Sequence, residues 1–207
     1  MTTAVQITEQ QAAEAHPDPE QQLRMQIYLL LSGLLKSAPD MDLLILLRHI
    51  DSEQDSGSAM VNAWAELKLA ADMAEPGDVE DEYHQLFIGL GRGELVPFGS
   101  WYQTGFLMEK PLAKLRADLA YLGYERDESV HEPEDHVAAL CDVMAMMIQD
   151  GAGFAQQQDF FTQHMEPWLV RFFRDLQAAE AARFYRSVGQ LGESFLDIEQ
   201  QYFSMMV

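Results

Sequence analysis

Residues 184–202 read FYRSVGQLGESFLDIEQQY, and the apolar positions of this stretch decide the fold class. Phe184, Val188, Leu191, Phe195, Ile198 and Tyr202 recur at the three- and four-residue spacing that lines one face of an α-helix, whereas a half-buried strand would alternate. Leu23, Ile27, Leu30, Leu31 and Leu34 repeat the pattern near the other end of the chain. Between them, Leu112, Leu115, Leu119 and Leu122 form a third stripe, and Val137, Leu140, Met144, Met147 and Ile148 a fourth. The composition agrees: Leu, Ala, Met, Gln and Glu dominate over Val, Ile and Thr, and unbranched side chains lose little rotamer freedom in a helix. The expected fold is all-α, a single-domain bundle of about eight or nine helices. Leu30, Leu34, Leu115, Leu119, Leu140, Met144, Phe184 and Leu191 sit centrally on the stripes and are expected to line its core.

Asp40 and Asp78 precede apolar runs as helix starts do, and Pro111, Pro133 and Pro167 suit first-turn positions. Residues 1–18 are polar and aperiodic and are expected to be disordered, leaving 19–207 as the helical domain. Two stretches break the helical pattern: Ile88 to Ser100, rich in glycine, and Gly123 to Glu132, polar and acidic. The second, residues 123–132, is a candidate hinge, so that either a monomer or a domain-swapped dimer is an expected state.

Cys141 is the single cysteine, which rules out an internal disulfide or a four-cysteine zinc site. It shares a stripe with Val137, Met144 and Ile148, so its thiol should be buried. No basic start followed by an apolar run opens the chain, and no stretch is long and apolar enough to span a bilayer. The expected location is the cytoplasm. With 34 acidic and 13 basic residues, the formal charge of -21 argues against nucleic acid and anionic lipid as partners. It would attract a basic ligand, or simply keep the protein in solution.

The densest cluster of candidate ligands and proton carriers is His131-Glu132-Pro133-Glu134-Asp135-His136. Its histidines lie five apart, not the four that places a zinc pair on one helical face, and Pro133 is expected to begin a helix between them. Glu134 and Asp135 then read either as first-turn carboxylates favoured by the helix dipole or as part of a ligand site, with metal third. A helical metal-dependent hydrolase built on His131 and His136 is the alternative function. The run Gly89-Leu90-Gly91-Arg92-Gly93 could cradle phosphate, but it lacks the Lys-Ser/Thr ending of a P-loop and follows a helix. A glycine-rich loop carrying Pro97, Phe98, Trp101 and Tyr102 could instead let a peptide approach closely. Met144, Met146 and Met147 read as core filling ahead of an adaptable surface, and His84 as an exposed helical partner of Glu80. A structural helical subunit of a larger complex remains a further reading.

Three ordered segments carry a resemblance: Tyr83-His84-Gln85-Leu86-Phe87-Ile88-Gly89, then Pro97-Phe98-Gly99-Ser100-Trp101-Tyr102, then Glu132-Pro133-Glu134-Asp135-His136. Together with Phe160-Phe161, His164 and Pro167-Trp168, they resemble the TorD/DmsD/NarJ family of molybdoenzyme maturation chaperones. The resemblance implies an all-helical cytoplasmic protein without catalytic residues, metal or cofactor. It implies as partners the twin-arginine signal peptide and the apo-form of a molybdopterin oxidoreductase, either a reductase or a formate dehydrogenase. Carried over by motif, the peptide-binding residues are Leu86, Phe87, Pro97, Phe98, Gly99, Ser100, Tyr102, Asp135 and His136, with Asp135 facing a basic group of the leader.

Overall fold

Helix signals in the chain become ten α-helices in the computed structural model, which describes residues 18–50, 57–89, 91–127 and 131–205. They are α1 (Pro19–Lys36), α2 (Met41–Arg48), α3 (Ala59–Met73), α4 (Pro76–Tyr83), α5 (Gly99–Thr104), α6 (Lys110–Leu122), α7 (Val137–Gln149), α8 (Phe154–Phe160), α9 (Leu169–Ala178) and α10 (Phe184–Met205). Apart from Asp18, the segment expected to be disordered lies outside the described residues, as do Leu90 of the glycine loop and residues 128–130 of the candidate hinge. The count exceeds the expected eight or nine because short helices such as α5 lie where glycines hid the periodicity.

Local chemistry explains the boundaries. Asp18 accepts the Gln21 N–H at 2.9 Å with Pro19 at the first helical position, and Asp40 accepts the Leu43 N–H in the same way at the start of α2. α6 stops at Gly123, whose φ of 84° is the left-handed conformation that closes a helix C-terminus. Asp78 lies in the first turn of α4 and is not its cap. Pro133 does not start a helix: it sits in a turn, and α7 begins at Val137 with His136 as its N-cap. Pro167 likewise occupies the turn between a π-helical segment, Phe161–Met165, and α9.

α1 packs along α7, and α10 along α9 and α3. Seven of the eight expected core residues are buried, whereas Leu30 is half-buried and packs against the margin of the core. Cys141, Met144 and Met147 are buried, while Met146 faces outward. One polar network crosses this apolar interior. Arg24 on α1 makes two 2.7 Å hydrogen bonds to the fully buried Glu199 on α10. The same arginine donates to Gln157 on α8, and the Tyr28 hydroxyl donates to Glu199 at 2.7 Å. A buried charge pair is tolerated when its remaining hydrogen-bonding capacity is met in this way. Among the described residues, no helix is long and apolar enough to cross a membrane.

Candidate functional site

The two sequence motifs meet through their backbones. Phe98 and His136 form an isolated antiparallel bridge, in which the Val137 N–H donates to the Pro97 carbonyl at 2.9 Å. One residue on, the Gly99 N–H donates to the Asp135 carbonyl at 2.8 Å. The Asp135 side chain completes the joint, because its Oδ2 accepts the Ser100 N–H at 2.6 Å and so holds the first turn of α5. Gly99 is tight here: a Cβ would lie 3.0 Å from the indole nitrogen of Trp168. Trp168 is itself fixed by donating to the His164 carbonyl at 2.9 Å.

Asp135 is only 3% exposed, yet its Oδ1 has no hydrogen-bond partner among the described residues, and neither does the hydroxyl of the fully buried Ser100. An ionised carboxylate can accept about four hydrogen bonds, so this side chain keeps accepting capacity that its capping role does not use. Asp135 lines a cleft of about 440 Å³ between α5, α6 and α7, with Gly99, Leu115 and Leu140 beside it. Gln103, Thr104, Lys110, Lys114, Gln163 and His164 also line it. Of these, only His164 was singled out in the sequence, and only through the resemblance. The others are exposed polar residues on three separate elements, and linear spacing carries no sign that they converge.

His136 faces the joint from the other side. Its Nδ1 accepts the Ala138 N–H at 3.2 Å as the N-cap of α7, and its ring meets that of Phe98 edge-on at 5.0 Å. Burial pushes its pKa down to about 4, against the opposing charge of Glu132. The neutral ring suits the position: a proton on Nδ1 would remove the cap acceptor and place positive charge at the positive end of the helix dipole. Burial also lowers the pKa of His164, with Asp118 opposing it through a 2.8 Å contact at Nε2. Glu134 belongs to a surface network. Although partial burial works the other way, the Arg116 hydrogen bond and the charges of Arg116 and Arg126 hold its carboxyl below the usual range.

Other expected site residues are placed differently. Leu86 is fully buried and Phe87 is half-buried between the rings of Tyr83 and Tyr185; neither lines the cleft. Pro97, Gly99 and Ser100 are buried and form the frame, leaving Phe98, Tyr102 and His136 partly accessible. Tyr102 packs on Trp168 and Phe172. The glycine-rich loop admits a close backbone approach, but the backbone that approaches is its own. The chain returns so that the Leu95 N–H donates to the Leu86 carbonyl at 2.8 Å, and a Cβ at Gly93 would collide with the Phe87 backbone. His131 is exposed while His136 caps a helix, and among the described residues no three His, Cys, Asp or Glu side chains are grouped to hold a metal.

This arrangement of helices defines a class. The chain shares its fold with a solved structure from Archaeoglobus fulgidus provisionally assigned as a redox enzyme maturation protein, at a TM-score of 0.55 and 17% identity over 84% of this chain and 94% of that one. Residues 53–174 match the family model described as nitrate reductase delta subunit, and the chain belongs to that family. Among curated relatives, "Chaperone protein TorD" of Vibrio parahaemolyticus is 29% identical over 150 residues, covering 67% of this chain and 65% of that protein. The protein of the same name from Vibrio cholerae El Tor is 28% identical over 143 residues, covering 64% of this chain and 60% of its own length. The matches thus span less than two thirds of these relatives.

Proposed function

We propose that this protein is a cytoplasmic chaperone that binds the twin-arginine signal peptide of a molybdopterin oxidoreductase, or its apoenzyme, and holds it until cofactor insertion, without a catalytic step of its own. The observation that carries this reading is the buried Asp135, which lines a cleft at the point where the family's two motifs join and whose Oδ1 has no partner among the described residues. A guanidinium of the leader supplies the donors that this oxygen lacks, and the half-buried Phe98 and Tyr102, outside the lining of that cleft, offer apolar contact to the rest of the peptide. Names of the relatives support a chaperone role.

Calorimetric titration of a synthetic twin-arginine leader tests the reading. Phe98→Ala should cost about 1–3 kcal/mol of binding with little change in salt dependence. Asp135→Asn should weaken binding and flatten its salt dependence, because one charge pair is lost. Phe87→Ala, wedged between two tyrosines, should alter stability more than affinity. If Phe98→Ala and Asp135→Asn bind and mature the client as the native protein does, the proposed site is wrong.

A further inference from the structure

A second, larger cleft shares no lining residue with the site above. About 700 Å³ in volume, it runs between α3, α4 and the start of α10. Its apolar wall includes Leu69 and Met73, one turn apart on α3 and 54% and 78% exposed, a large solvent-facing apolar area for two neighbouring side chains. The same cleft is lined by Glu66, Glu75, Asp78, Asp81 and Glu180, and none of these five carboxylates pairs with a basic side chain among the described residues. Glu82 also faces it, but its carboxylate is engaged by the backbone at the start of α10. Arg183 and Arg186, which make no ion pair among the described residues, line the cleft at its α10 end.

We infer that this cleft docks a basic amphipathic segment of a protein partner. Apolar side chains of the segment lie on Leu69 and Met73, and its Lys or Arg side chains meet the carboxylates of α3 and α4. Met73, unbranched and polarizable, accommodates apolar groups of varied shape. The two arginines give the segment a direction, because they favour a carboxylate or exposed carbonyls at the end that reaches α10. Charge decides among other occupants. Nucleic acid and anionic lipid are repelled by a protein of net charge -21, and a second copy would bring the same acidic surface against itself. The inference involves neither Asp135 nor the leader, so it stands or falls apart from the proposed function.

The test uses the full chain and a fluorescent amphipathic peptide of leucine, alanine and lysine, with a glutamate-for-lysine version as comparator, followed by anisotropy at low and high salt. The lysine peptide should bind and weaken as salt rises, while the glutamate peptide should not bind. Glu66→Lys combined with Asp81→Lys should weaken binding about tenfold, a loss of about 1.4 kcal/mol. Leu69→Ser combined with Met73→Ser should weaken it severalfold at every salt concentration. Asp135→Asn should leave it unchanged. No binding of the lysine peptide, equal binding by the surface variants, equal binding of the glutamate peptide, or a dimer in sedimentation that disappears with Leu69→Ser and Met73→Ser would each overturn the inference. A twin-arginine leader whose affinity follows the Glu66 and Asp81 changes, and ignores Asp135→Asn, would instead relocate the proposed function.

Discussion

Two buried carboxylates in this protein each reach across the chain to hold the start of a helix, yet they are left in different states. Glu82 accepts the N–H groups of Arg183, Phe184 and Tyr185 at 2.8, 3.1 and 2.7 Å, with both oxygens in use at the start of α10. Asp135 accepts one N–H through Oδ2 at the start of α5 and leaves Oδ1 without a partner among the described residues. Desolvating a carboxylate is unfavourable, and hydrogen bonds offset the cost only as far as they are made. Glu82 therefore has both oxygens engaged and little acceptor capacity left, whereas Asp135 retains a whole oxygen unmet among the described residues and lines a cleft. Burial alone does not separate these two carboxylates; the count of unmet lone pairs does.

The comparison breaks or sharpens with four measurements. The largest effect is expected from Glu82→Ala, which strands three backbone donors at the start of α10. Urea denaturation should show a loss of about 3 kcal/mol, while the surviving folded protein keeps its leader affinity. A comparable loss of affinity would mean that Glu82 also belongs to a binding surface.

Protonation of His136 comes next. Its folded pKa is about 4 against an ordinary 6.5, so between these values the unfolded chain takes up a proton that the folded chain does not. The stability tied to the neutral ring is complete above pH 6.5 and declines as the pH falls towards 4, by up to about 3 kcal/mol. His136→Asn keeps a capping side chain but cannot titrate. Its stability should fall less steeply than that of the native protein across this window, and parallel curves would refute the assignment. Leader binding near neutral pH should show no step from this group.

Asp135→Asn should separate stability from function. The amide oxygen can still accept the Ser100 N–H, so unfolding should shift by less than about 1 kcal/mol, whereas leader affinity should fall about tenfold. The reverse ranking would make Asp135 a structural cap like Glu82. Smallest of all is Ser100→Ala. Removing a buried hydroxyl without a partner should leave stability unchanged or raise it by a few tenths of a kcal/mol, with any loss appearing only in leader binding.

The stripes on α1, α6, α7 and α10 were legible because helical spacing is a local property: a residue's partner on the same face lies three or four positions away. Fold class, nearly all of the core and the burial of Cys141 follow from that spacing together with composition. Leu30 was misjudged because it sits at the edge of its stripe, where exposure depends on which helix packs alongside. The motif residues were identified by order and resemblance, but their roles were not. Leu86 became core, and the glycines at 89 and 93 serve the chain's own close return.

By itself the sequence determined an all-helical protein, acidic, with one buried thiol and two unusual loops, since periodicity, charge and cysteine count are properties of the chain whatever its path. Only the tertiary structure decided that Asp135 caps α5 with one oxygen to spare, that His136 is held neutral at the start of α7, and that Gln103, Lys114 and His164 share a cleft. Those outcomes depend on which donors, apolar groups and charges are brought within a few ångströms by helices distant in the chain, and hydrogen bonding and desolvation act at that range and no farther.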